Sequence, residues 1–230
     1  MNAEFVLIAT SLVLLTTLLF VLSARALARF AENRSRSQVM WGSGLSIATA
    51  AMGVECVVYL GSVSSPLLQL YVFCSAAIVG VLSLGATKIL RSPRIERYYT
   101  GYILATCGLV AAACAITPLP VSMVSGGIIS GNPPLMLIVL SSLVTVPATV
   151  VLLTATAVSL RRSWRWQTLL MAAGAVILGA GGALYIASFP IALYYAEFIG
   201  ILLLFLGLVS LPQTAPAPAS SSAGATRPTS

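Results

Sequence analysis

Seven stretches of this chain stay apolar for about twenty residues each, and this feature limits the possible folds more than any other. A helix of that length matches the roughly 30 Å hydrocarbon thickness of a bilayer. Helices are the expected form, because lipid offers no hydrogen-bond partners to an open backbone. The chain is 59% hydrophobic and 7% charged, whereas soluble domains are about a quarter charged. The runs cover residues 5–27, 39–60, 66–88, 99–117, 134–160, 166–187 and 191–211.

The sequence therefore predicts an all-α integral membrane protein, with one seven-transmembrane-helix bundle over residues 1–211. Residues 212–230 are rich in Pro, Ala and Ser and have no apolar periodicity. We expect a disordered tail there, because such a segment cannot bury enough surface to offset its chain entropy. The connection at 118–133 is uncharged, fairly apolar and rich in Gly and Pro. It either folds back over the bundle as a cap or lies as a loop at the headgroups.

Basic residues fall in every second connection, which predicts the orientation of the bundle. The positive-inside rule places these connections in the cytoplasm, with the N-terminus outside and the C-terminus inside a cell membrane. The net charge of +7 is therefore no sign of nucleic-acid binding. The second basic group also predicts weak contact with anionic lipid headgroups, although orientation alone explains it equally well. The three groups are Arg25, Arg29, Arg34 and Arg36; Lys88, Arg91, Arg94 and Arg97; and Arg161, Arg162 and Arg165.

The residue types that are missing narrow the chemistry. The chain contains no His and no Asp, which removes the usual ligands of haem and zinc and the usual general bases. The four cysteines form no CxxC pair, and each lies inside an apolar run. We therefore expect no metal and no cofactor. An enzyme is the least favoured class of function, because only glutamates and hydroxyl groups remain for catalysis.

Two glutamates stand inside apolar runs, Glu55 in "MGVECVVY" and Glu197 in "YYAEFIGI". Both are predicted to lie roughly 8–10 Å below the outer surface, from the helical rise of 1.5 Å per residue. No basic residue is predicted at that depth. Each carboxyl group is then protonated, faces a hydrated cavity, or binds a mobile cation or cationic ligand.

Tyrosines near the two glutamates are candidate hydrogen-bond partners. Tyr59 and Tyr194 lie one helical turn from Glu55 and Glu197, and Tyr185 lies toward the same outer surface. We predict that these five residues form an ion, proton or ligand site. An equally weighted alternative is that each protonated glutamate bonds a neighbouring helix and stabilises packing. Tyr71 is assigned only to the aromatic belt at the outer interface.

The fifth run carries several hydroxyl side chains, including Ser142, Thr149 and Thr154, and it contains Pro147. These hydroxyls either line a polar path or, more commonly, bond the carbonyls of their own helix. Pro147 removes a backbone donor, and a neighbouring hydroxyl could satisfy the carbonyl that it frees.

A candidate parallel 3+1+3 repeat relates runs one to three with runs five to seven. "SLVLLTTLLFVLSARA" from Ser11 compares with "SLVTVPATVVLLTATA" from Ser142. This organisation is similar in topology to SWEET-type sugar transporters and TRIC-type cation channels. The similarity carries no motif, so it transfers no residues.

These features favour a small channel or transporter for protons, cations or a small solute that uses Glu55 and Glu197. The alternatives are an accessory or assembly subunit of a larger membrane complex, and a seven-helix sensor without enzymatic activity. The expected partners are the lipid bilayer and either other membrane subunits or a second copy of the chain.

Overall fold

A computed structural model of the chain describes residues 3–33, 36–87, 92–125, 127–129 and 133–162. It also describes short helical pieces at 166, 169–170, 173–174, 176–177, 196, 199–203 and 206–207. Five helices in this part are long and apolar enough to cross a membrane, which confirms a helical, multi-pass membrane protein. The helices are α1 (Ala3–Asn33), α2 (Arg36–Tyr59), α3 (Ser65–Thr87), α4 (Pro93–Ile116) and α5 (Leu135–Arg162).

The predicted sixth and seventh spans fall mostly outside the described residues. The count of seven spans and the 3+1+3 repeat therefore stay predictions. The tail predicted at 212–230 lies outside the described residues as well.

Contacts between helix ends establish that α2, α3 and α4 alternate in direction. At one end of the molecule, Trp41 near the start of α2 packs on Gly85 near the end of α3. At the same end, the hydroxyls of Ser83 and Tyr99 join the end of α3 to the start of α4 across 2.7 Å. We name this the basic end, because the exposed arginines Arg94 and Arg97 lie here in the first turns of α4.

Small residues let the helices approach closely. A Cβ atom on Gly44 of α2 would lie 2.6 Å from Leu82 Cδ2 on α3. A Cβ atom on Gly80 of α3 would lie 2.9 Å from Val144 Cγ1 on α5. Since real Cβ atoms do not approach side chains this closely, the packing favours glycine at both positions.

The connection between α4 and α5 folds back onto the bundle, which is the first of the two predicted alternatives. A 3₁₀ turn (Val121–Met123) leads into β1 (Val124–Ser125), which pairs antiparallel with β2 (Ile128–Ile129). We name residues 119–129 the cap. This short hairpin packs apolar side chains against the helices. Leu119, Met123 and Ile129 of the cap are each no more than 4% exposed.

Two hydrogen bonds attach the connection to the start of α3. The Leu119 amide donates to Ser65 Oγ at 2.9 Å, and Gln69 Nε2 donates to the Thr117 carbonyl at 2.9 Å. At the tip, Gly127 has φ of +81° and a Cβ there would lie 3.3 Å from the Tyr59 ring. The cap therefore covers the end of α2 opposite the basic end, which we name the cap end.

The carbonyl freed by Pro147 has a partner on the neighbouring helix. Proline has no amide hydrogen, so the carbonyl of Leu143, four residues earlier, loses its helical donor. The Tyr102 hydroxyl of α4 donates to this oxygen at 2.6 Å. The predicted rescue by a neighbouring hydroxyl is confirmed, and it joins α4 to α5.

We expect the substitution Tyr102→Phe to lower the free energy of unfolding in detergent by about 1 kcal/mol, because the Leu143 carbonyl loses its partner. In a Pro147→Ala background the loss should be much smaller, since alanine supplies the amide that proline lacks and restores the helical bond. A double-mutant cycle from denaturant titrations measures this coupling. Tyr98→Phe, at a tyrosine that is 79% exposed, is the control and should change little. Equal losses from Tyr102→Phe in both backgrounds would contradict the assignment.

Candidate functional site around Glu55

The side chain of Glu55 is enclosed by protein although it carries an ionisable group. It is 3% exposed, and it lies one turn before the end of α2 at the cap end. Its oxygen Oε2 has no hydrogen-bond partner among the described residues. Within that part of the chain it is the only buried side-chain nitrogen or oxygen in this state.

Tyr71 of α3 supplies the polar contact to this carboxyl group. Its hydroxyl hydrogen-bonds Glu55, and since Oε2 is unpartnered the bond falls on Oε1. Tyr71 lies six residues after the start of α3, and Glu55 lies four residues before the end of α2. The short turn between these helices brings the two residues to similar depth, which allows the contact.

Apolar side chains form the rest of the described surroundings. The neighbours of Glu55 on its own helix face, one turn away in each direction, are buried: Ala51, Met52 and Val58. Val58, Leu68 and Tyr71 belong to one hydrophobic cluster with Met123 and Ile129 of the cap. The cap therefore belongs to the apolar packing around Val58 and Tyr71, two described neighbours of Glu55.

Tyr59, which was predicted as a partner of Glu55, lies next to the cap. It is 8% exposed, contacts Gly127, and shares a second cluster with leucines of α1. Ile201 belongs to that second cluster too, together with Met52. Part of the predicted seventh span therefore packs against α1 and α2. Glu197, Tyr185 and Tyr194 lie outside the described residues, so their part in the site stays a prediction.

The predicted lipid-contact residues divide between described and undescribed parts. Arg94 and Arg97 are exposed in the first turns of α4, at the basic end and far along the bundle from Glu55. Lys88 and Arg91 lie outside the described residues. No described arginine lies at the depth of Glu55.

Tyr71 is the site residue that the sequence reasoning missed. Its side chain is 6% exposed and reaches Glu55 inside the bundle. Comparing depths on consecutive antiparallel helices would have paired it with Glu55. The sequence prediction paired each glutamate with a tyrosine one turn away on its own helix and added only Tyr185 from another span.

The hydroxyls of the fifth span follow the commoner alternative. Ser142, Thr149 and Thr154 each donate to the carbonyl four residues earlier, at 2.7–2.8 Å. These three hydroxyls therefore have their hydrogen-bond partners within α5.

No family model, curated protein or solved structure matches this chain. The function is therefore inferred from the chemistry of the site. A buried carboxyl group with one hydroxyl partner and one free oxygen can exchange a proton or hold a cation. The described residues contain no cluster of three or more His, Cys, Asp or Glu side chains that could hold a metal ion.

We expect Glu55 to react slowly with a water-soluble carbodiimide in the folded protein, because the cap and α3 shield it. Gly127→Val should raise the labelling of Glu55, since the new side chain clashes with Tyr59 and displaces the cap. Gly61→Val is the matched control, because Gly61 also has a positive φ but a Cβ there meets nothing within 4 Å. Mass spectrometry of the labelled peptides measures both rates. Equal labelling of Glu55 in the two variants would show that the cap does not shield it.

Proposed function

We propose that this chain is a channel or transporter for protons, cations or a small solute, and that Glu55 and Glu197 carry its charge-binding site. The observation that carries the proposal is the unpartnered Oε2 of Glu55, inside a membrane-spanning helix with no described cation near it. Ionisable groups at such positions are costly, and they usually belong to ion or proton pathways.

The other buried polar side chains in the described residues have hydrogen-bond partners. This contrast supports a functional role for the Glu55 carboxyl group rather than a role in helix packing. A glutamate that stabilises packing gains most when both oxygens are bonded, because a buried unpartnered oxygen costs about 1–3 kcal/mol. The hydroxyls of Ser23 and Ser46, 2.5 Å apart, join α1 to α2 by a polar contact in which each oxygen has a partner. Glu55 does not follow that pattern.

The placement in the membrane is part of the proposal. The exposed arginines at the basic end favour a cytoplasmic position for that end, with the N-terminus outside and the C-terminus inside the plasma membrane. The cap and Glu55 then lie toward the outside. Arg94 and Arg97, with Lys88 and Arg91, would contact anionic lipid headgroups there at the inner surface.

Purified protein in liposomes should move protons or cations under an imposed potassium diffusion potential. The double variant Glu55→Gln, Glu197→Gln should fall to the leak of empty liposomes, because amides cannot carry the charge. A pH-sensitive dye inside the vesicles and ion-selective electrodes outside measure the flux. Unchanged flux in the double variant would remove these residues from the pathway.

A subunit of a larger membrane complex is the second candidate, and one feature of α4 favours it. Four small residues recur at helical spacing and are all exposed: Gly101, Ala105, Gly108 and Ala112. A Cβ on Gly101 or Gly108 would meet nothing within 4 Å. Small residues in this pattern suit close contact with another helix. The contacting helix would belong to another subunit or to a second copy of the chain.

If α4 binds a partner, Gly101→Leu with Gly108→Leu should weaken the association about tenfold or more, because the leucines hold the partner helix away. Val146→Leu with Val150→Leu, on the exposed face of α5, is the control. Mass photometry and identification of copurified subunits in mild detergent report the association. A wild-type protein that is monomeric and free of other subunits would count against this candidate.

A further inference from the structure

We propose that the species exchanged at Glu55 is the proton, because the described residues give its carboxyl group too few oxygen ligands to hold a metal cation. The inference rests on the proposed transport function and names its substrate. The observation behind it is the small number of oxygen ligands that the described residues place around the carboxyl group.

The described residues supply too few oxygen ligands for a metal cation. Hard cations take about six oxygen atoms in proteins. The described side-chain oxygens at this site are the two of Glu55 and the hydroxyl of Tyr71. The helical neighbours Ala51, Met52 and Val58 offer no oxygen ligand from their side chains.

The carbonyls of the described helices do not make up the shortfall. Transporters that coordinate sodium commonly use carbonyls from unwound helices. Here α2 is helical without interruption from Arg36 to Tyr59, and α3 from Ser65 to Thr87. Their carbonyls near Glu55 and Tyr71 are therefore engaged within the helices. The carbonyl that Pro147 frees belongs to Leu143 of α5 and is already bonded to Tyr102.

A proton needs no coordination shell. In the resting site Oε2 carries the hydrogen, and the neutral acid costs far less to bury than a carboxylate. On release, the Oε2–H bond breaks, its electron pair stays on the carboxylate, and the proton passes to a water molecule. The Tyr71 hydroxyl, donating to Oε1, stabilises the carboxylate until another proton arrives.

Few other titratable groups lie near the depth of Glu55 on the described elements packed around it. Tyr71 and Cys74 come from α3, and Cys56 and Tyr59 from α2 itself. The described side chains of α1 and of the cap contribute none at this depth. The exposed arginines of α4 stand at the basic end. Glu55 is thus the acid that sets the proton exchange of this site in the described part of the chain.

Current across a solid-supported membrane carrying the full-length protein tests the species. A tenfold proton gradient should set a reversal potential of about 59 mV. A tenfold gradient of sodium or potassium at equal pH should leave the reversal potential at zero. Glu55→Gln should abolish the current, and Glu55→Asp should keep a reduced one with the same proton selectivity. Glu96→Gln, at the basic end, is the matched control and should keep the full current.

The outcomes separate this inference from the proposed function. A current that follows sodium or potassium and is lost in Glu55→Gln would overturn the proton and keep the transport site. A proton current that survives in Glu55→Gln, with the variant eluting as wild type in size exclusion, would overturn both assignments to Glu55. An electrically silent wild type, tested also with the pH-sensitive dye, would overturn transport itself.

Discussion

Hydrocarbon gives the backbone and the side chains no hydrogen-bond partners, and the rest of this structure depends on that constraint. Long helices satisfy their own backbone groups. The one proline inside α5 breaks that rule at the Leu143 carbonyl, and a tyrosine of α4 supplies the missing donor. The hydroxyl side chains obey the same constraint by returning to carbonyls of their own helix, as Thr10, Thr17 and Thr49 do.

Glu55 is an exception to this rule, and its burial costs folding free energy. Its Oε2 is buried and has no partner among the described residues. A cost of about 1–3 kcal/mol for such a group is a large part of a typical folding free energy. Tyr71 offsets some of it through the other oxygen. An acid at this position costs folding free energy that a leucine would not cost. This cost is the physical reason for proposing a functional role for Glu55.

The sequence predicted the helices well and the site in part, for reasons that differ. Helices of this kind follow from apolar length, and the predicted runs 66–88 and 134–160 match α3 and α5 closely. Glu55 could be identified from the sequence because an ionisable residue inside an apolar span is unusual, whichever residues surround it. Tyr71 did not, because a tyrosine near an interface is ordinary until the packing of α2 on α3 is known. The cap was one of two alternatives, since burial of Leu119 and Met123 depends on tertiary contacts.

The distribution of close contacts also bears on how an enclosed acid could reach water. Toward the basic end α2 is held by tight glycine contacts, Gly44 against Leu82 and Gly85 against Trp41. At these two positions α2 and α3 are in van der Waals contact. At the cap end the cover over Tyr59 is a short hairpin of two-residue strands with its turn at Gly127. A short hairpin is only marginally stable without packing, so displacing it costs less than separating two close-packed helices. Among the described residues, we therefore expect exchange of Glu55 with water at the cap end, where a short hairpin lies against Tyr59.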